Sequence, residues 1–203
     1  MKIPKTPLPK RGNLAKYQSN NPLQKYLIRR FLAVIRSVVR DAPSGLLCET
    51  GCGEGFVLRN LGDHGLLKQR RAIGLELDEG ALRFAQGHVP EAAFLCASAD
   101  ALPLRDKSIG CLMLLEVLEH LQNPVRALEE AARVSRSLLI SVPHEPFFQA
   151  ANFLRGKNLK SFGNDPEHCR HWGQASFLEL FRPFGKITRH AAPFPWLVAY
   201  LET

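Results

Sequence analysis

The sequence predicts a doubly wound α/β fold with a seven-stranded, mostly parallel sheet, and three observations carry that prediction. Apolar runs of strand length alternate with segments of helical period from residue 46 to residue 142. The first run, Leu46–Cys48, leads into a glycine turn and out into a helical pattern at Val57, Leu58 and Leu61. At 203 residues the chain has the length of one domain, and no internal repeat divides it.

The elements follow in order. Residues 1–20 are rich in Pro, Lys and Asn and read as irregular. Asn21-Pro22 is a helix start, with Asn as cap and Pro at the first helical position. Leu23, Tyr26, Leu27, Phe31, Val34, Ile35, Val38 and Val39 then recur at helical spacing, and Lys25, Arg29, Arg36 and Arg40 fall within a narrow arc of the same helix. Ala42-Pro43-Ser44-Gly45 leads into the first strand. Arg71–Leu77 reads as the second strand, Glu79–Gly87 as a helix, Ala93–Ala97 as the third strand and Ile109–Leu115 as the fourth. Asn123-Pro124 caps a helix over Val125–Arg133, and Arg136–Val142 is the fifth strand. Phe147–Arg155 reads as a helix, Ser176-Phe177-Leu178-Glu179 as a capping box opening another, and Lys186–Ala191 and Trp196–Leu201 as two final strands.

Charge divides the chain unevenly. The net charge is +8, yet residues 1–41 hold ten Lys/Arg against the single acid Asp41, which leaves −1 on the remainder. A neutral body is unlike a domain that clamps nucleic acid across its core. No apolar run approaches the ~18 residues of a membrane span, and no apolar stretch follows the basic N-terminus as a signal peptide requires. The cysteines (Cys48, Cys52, Cys96, Cys111 and Cys169) are odd in number without a CxxC, so they read as buried reduced thiols. The expected compartment is the cytoplasm.

The chemistry centres on Glu49-Thr50-Gly51-Cys52-Gly53-Glu54-Gly55. A strand feeding a helix through glycines presents free N–H groups to a nucleotide-like ligand. A dinucleotide fingerprint needs a small residue where Phe56 stands, and the Lys of a phosphate loop is missing. The acid-x-G-x-G-x-G pattern resembles instead the first motif of class I S-adenosylmethionine (SAM)-dependent methyltransferases. Glu76 ends the second strand about 25 residues after Gly51, near the offset of a ribose-binding acid, with Asp78 as the fallback. Ser98-Ala99-Asp100-Ala101-Leu102-Pro103 resembles the third motif of the same enzymes, and Glu116-Val117-Leu118-Glu119-His120 their segment after the fourth strand. Ile109-Gly110 departs from the usual Phe-Asp. The resemblance covers residues 45–142 and is strongest to the type 11 methyltransferases, which include quinone-biosynthesis enzymes.

That resemblance implies a Rossmann-like sheet with an antiparallel C-terminal strand, and SAM as cofactor. Glu49, Gly51, Cys52, Gly53 and Gly55 would hold its methionine half. Glu76 would take the ribose, Leu77 would pack on the adenine, and Ser98 and Ala99 would meet its edge, with Asp100 as an alternative to Ser98. Leu115 would border the methionine amino group. Residues 1–41 are expected to form a basic lid, with Tyr17 and Gln18 nearest the methionine half and residues 42–203 folding as the methyltransferase domain without it. Candidate general bases are His120, His144, His168 and His171, since histidine titrates near neutral pH. His168, Cys169 and His171 lack matched partners for a metal site, and no metal is expected. No Asn-Pro-Pro-Tyr-like motif follows the fourth strand, which argues against amide and adenine methylation. The aromatic C-terminal third suits an apolar, lipid or aromatic acceptor, and the expected acceptor is a small molecule, lipid or glycan. An RNA acceptor and a non-catalytic SAM-binding role remain as alternatives, and peripheral membrane contact through the basic helix stays open.

Overall fold

The computed structural model describes residues 14–144, 170 and 172–203. Helices α1 (Leu14–Tyr17) and α2 (Pro22–Asp41) precede strand β1 (Leu46–Thr50). Then come α3 (Phe56–Asp63), β2 (Ala72–Glu76), α4 (Glu79–His88), β3 (Ala92–Cys96), β4 (Ile109–Leu115), α5 (Pro124–Val134), β5 (Ser137–Pro143), α6 (Gln174–Phe181), β6 (Lys186–Ala191) and β7 (Trp196–Glu202). The seven strands form one sheet in the order β3-β2-β1-β4-β5-β7-β6. The first five run parallel, whereas β7 is antiparallel to both β5 and β6. The chain reverses its direction of travel across the sheet between β1 and β4, and at such a switch point open α/β sheets leave a crevice at the carboxyl ends of their strands.

Side chains alternate between two apolar layers, as period-two strands require. Leu47, Cys111, Met113 and Leu139 face the layer covered by α2, α3 and α4, while Leu112, Leu114, Leu138 and Ile140 face α5 and α6. Every residue of β4 and β5 is buried, which explains the unbroken apolar run of β4 and the largely apolar one of β5, interrupted by Ser137 and Ser141.

Helix α2 starts as its sequence dictates. The Asn21 side chain accepts from the backbone N–H of Leu23 (2.9 Å) and Gln24 (3.2 Å), and Pro22 occupies the first turn. Its inward face buries Ile28, Phe31, Leu32, Ile35, Val38 and Val39. At about 1.5–3 kcal/mol per large apolar side chain, this face contributes on the order of 10 kcal/mol. Helix α2 is therefore one wall of the core rather than a cover laid over a finished domain.

Two local readings change. The helix expected to open at the Ser176 box begins at Gln174 with Gly173 as its cap. Ser176 lies inside the first turn and its hydroxyl donates to the Gly173 carbonyl, so it does not cap a backbone N–H. Cys96 is exposed because β3 is an edge strand, whereas Cys48, Cys52 and Cys111 are buried and free. The helix expected over Phe147–Arg155 and the thiol of Cys169 lie outside the described residues.

Candidate functional site

The glycine turn leaves β1 at its carboxyl end. Gly51, Gly53 and Gly55 have φ of 72°, 50° and 74°, a left-handed run that residues with a Cβ rarely adopt. At Gly51 a Cβ would also lie 2.5 Å from a Val117 methyl. The turn is pinned from below, since the N–H groups of Gly51 and Cys52 both donate to the Leu75 carbonyl. It is pinned from the side by Glu76, whose carboxylate accepts from the N–H of Gly53 (3.0 Å), Leu77 (2.7 Å) and Asp78 (3.1 Å). Glu76 thus ties the loop to the end of β2. Asp78 is spent differently, because it caps α4 by accepting from Gly80 and Ala81.

A small cavity of about 20 Å³ opens at this turn, lined by Glu49, Gly51, Cys52, Glu54, Phe56 and Leu115 among others. Glu49 is 3% exposed, and one of its carboxylate oxygens has no hydrogen-bond partner. Burial raises its pKa to about 8, opposed by the Leu58 N–H that donates to it and assisted by repulsion from Glu76. Glu54 is also buried on this wall.

Helix α1 forms the roof. The Tyr17 ring stacks on Phe56, with centroids 4.7 Å apart and planes 13° from parallel. Burial, and then the Glu116, Glu49 and Glu54 carboxylates, push the Tyr17 phenol well above its ordinary pKa. Lys16 reaches the Glu116 carboxylate as an ion pair and lies 5.1 Å from the centroid of the Trp196 ring. The indole N–H of Trp196 donates to the other Glu116 oxygen. Glu116 follows β4 with φ of 57°, a left-handed backbone unusual for a residue with a Cβ, and this turn delivers its side chain to the pocket. Glu119, one helical turn further on, is 1% exposed with neither carboxylate oxygen hydrogen-bonded.

The structure gathers Tyr17, Glu49, Gly51, Cys52 and Leu115 around the cavity, with Gly53 and Gly55 in the adjoining loop and Glu76 at the end of β2 beside it. Leu77 is 62% exposed on the β2 side of that loop. Ser98 donates its hydroxyl to Asp100, so the two residues between which the sequence could not choose form one corner with Ala99 between them. Gln18 is exposed. His144 sits half-buried at the end of β5, where its N–H donates to the Pro195 carbonyl (2.9 Å), and His120 is exposed after β4. His168 and His171 lie outside the described residues. Sequence reasoning missed Lys16, Phe31, Glu54 and Trp196, and it noted Phe56 and Glu116 without assigning them to the pocket. For Glu116 a signal existed, since a charged residue directly after a fully apolar strand stands at the sheet's carboxyl edge.

Residues 48–138 match the methyltransferase domain family. A probable S-adenosylmethionine-dependent methyltransferase of Mycolicibacterium smegmatis is 27% identical over 165 residues, 80% of this chain and 60% of that protein. Another, from Mycobacterium tuberculosis, is 29% identical over 129 residues, 62% of this chain and 46% of that protein. The chain thus spans about half to three-fifths of the length of these relatives. Among solved structures, magnesium protoporphyrin IX methyltransferase from Synechocystis with bound SAH shares the fold with a TM-score of 0.67, at 16% identity over 92% of this chain and 91% of that one.

Proposed function

From the premise that residues 48–138 form a class I SAM-dependent methyltransferase domain, we propose that the chain moves a methyl group from SAM to a small-molecule, lipid or glycan acceptor. The observation that carries this reading is the buried Glu49 carboxylate with one unpartnered oxygen beside a glycine cradle. A cationic ligand would supply the partner that the buried Glu49 oxygen lacks. Glu49, the Gly51–Gly55 turn and Leu115 would hold the methionine half. Glu76 has lone pairs left for ribose hydroxyls, Leu77 offers an apolar face to the adenine, and the Ser98–Asp100 corner meets its edge.

When bound, SAM supplies an activated methyl group, so the chain's residues have mainly to bind, align and exclude water. Tyr17 and Lys16 cover the cradle and perform the last of these tasks. Phe31 and Leu115 give the acceptor side apolar surface, and Glu116 gives it one polar anchor. Where the acceptor carries a proton, His144, which follows β5 at the carboxyl edge of the sheet, is the candidate base.

Calorimetry tests the reading. SAM and its demethylated product should bind and NAD should not. Binding of NAD with none of SAM would overturn it.

A further inference from the structure

We propose that the outer face of α2 docks on an anionic lipid surface. The core claims only one side of this helix, and the opposite side carries a second apolar feature that the fold does not use. Leu23 is 62% exposed and Tyr26 54% exposed. They stand three residues apart and so share one side of the first turns. Lys25, Arg29 and Arg30 surround them, all exposed. The Arg30 guanidinium lies over the Tyr26 ring, 5.8 Å from its centroid. Arg40 continues the stripe toward the C-terminal end.

No acid interrupts this face. The only carboxylate of α2 is Asp41 at its last position, and that group is engaged by Arg189 at 2.7 Å. Four further cations, Lys2, Lys5, Lys10 and Arg11, precede the described residues with no acid among them. The basic excess of the chain is therefore concentrated on the helix and the segment that leads into it.

The pairing of exposed apolar groups with a ring of cations selects the partner. Phosphate groups attract Lys and Arg wherever they occur, in nucleic acid or in a headgroup layer. Leu23 gains nothing from a sugar–phosphate backbone, but at a bilayer interface it enters the acyl boundary while the lysine and arginines stay at headgroup level. The rest of the chain carries 17 Lys/Arg against 18 Asp/Glu, so it adds no net basic charge for a polynucleotide. This inference stands apart from the methyl-transfer reading and would hold for an inactive chain.

The test is co-sedimentation of the full chain with vesicles of phosphatidylcholine alone and of phosphatidylcholine mixed with phosphatidylglycerol. Partition onto the anionic vesicles should be at least about tenfold stronger. Lys25→Glu, Arg29→Glu and Arg30→Glu together should abolish it. Leu23→Ser with Tyr26→Ser should weaken it about fivefold or more. All five sites are exposed, so circular dichroism should show both variants folded. Equal or absent binding to the two vesicle types would overturn the proposal. So would a Leu23/Tyr26 variant that binds anionic vesicles at full strength while the parent chain binds poly(U) as tightly as it binds lipid, because the face would then read phosphate charge alone.

Discussion

Glu49 is a carboxylate that the fold makes uncomfortable. Its pKa, raised by burial to about 8, lies above the ordinary carboxylate value, so protons bind the folded state more tightly than the unfolded one. Its contribution to stability is complete below the ordinary value near 4.5 and is lost as pH rises through about 8. The ligand-free protein should therefore melt at lower temperature at pH 8 than at pH 5, and Glu49→Gln should flatten that fall. Burial raises Glu119 in the same direction, so part of the slope should survive the substitution. A cationic ligand reverses the preference, and calorimetry in two buffers of different ionisation enthalpy should show a proton released as SAM binds. A melting temperature that does not change with pH would mean that Glu49 is solvated in solution. Glu76 and Asp78 separate along another axis. Glu76→Ala should weaken SAM binding by about 1.5–3 kcal/mol, because it removes both a charged acceptor and the clasp on Gly53. Asp78→Ala should cost about 0.5–2 kcal/mol of stability through its lost cap, with little change in affinity. Titrations ranking the two in reverse order would move the ribose acid to Asp78.

Among the elements, the two N-terminal helices have different jobs although they are neighbours in the chain. Helix α2 covers one face of the sheet, and Phe31 packs on Trp196 with ring centroids 4.8 Å apart. A chain beginning at Ala42 forfeits roughly 10 kcal/mol of burial, comparable with the whole stability of an ordinary domain. It should show no cooperative melting transition. A chain beginning at Ser19 keeps α2 and its Asn21 cap, so it should melt cooperatively and lose turnover. Full turnover in that shorter chain would reduce α1 to a surface ornament. The expectation that residues 42–203 fold alone rests on a sheet that is complete without the lid, and it leaves out the core face that α2 closes. The same limit applies to Lys16. Nothing in residues 14–17 signals an ion pair one hundred positions away, because only the fold brings Glu116 and Trp196 to the same point.

For the molecule as a whole, the parallel sheet was legible because the alternation of apolar runs and helical periods is local, and because connection rules restrict how such units stack. The antiparallel end came from the family resemblance alone, and the order β3-β2-β1-β4-β5-β7-β6 was not legible, since it depends on which distant strands pair. The glycine loop was legible for the same reason, since its backbone angles permit few residues other than glycine. Contacts across the crevice were not legible. Tyr17 on Phe56, Lys16 on Glu116 and Trp196 on Glu116 each join residues from distant parts of the chain, and the sequence shows the individual members without the pairing. No helix among the described residues is long and apolar enough to cross a membrane.

One consequence follows from the short connection between the roof of the pocket and the wall of the core. Only Gln18–Asn21 separate α1 from α2, and α2 is fixed. Four residues drawn out fully reach roughly 13–14 Å. The roof is therefore a hatch on a leash. Should it open for a ligand, the tether would hold it within that distance of its own doorway, and reclosing would be an encounter within one molecule, independent of how dilute the protein is. A separate peptide copied from residues 14–17 would compete poorly with it, because that peptide has no leash.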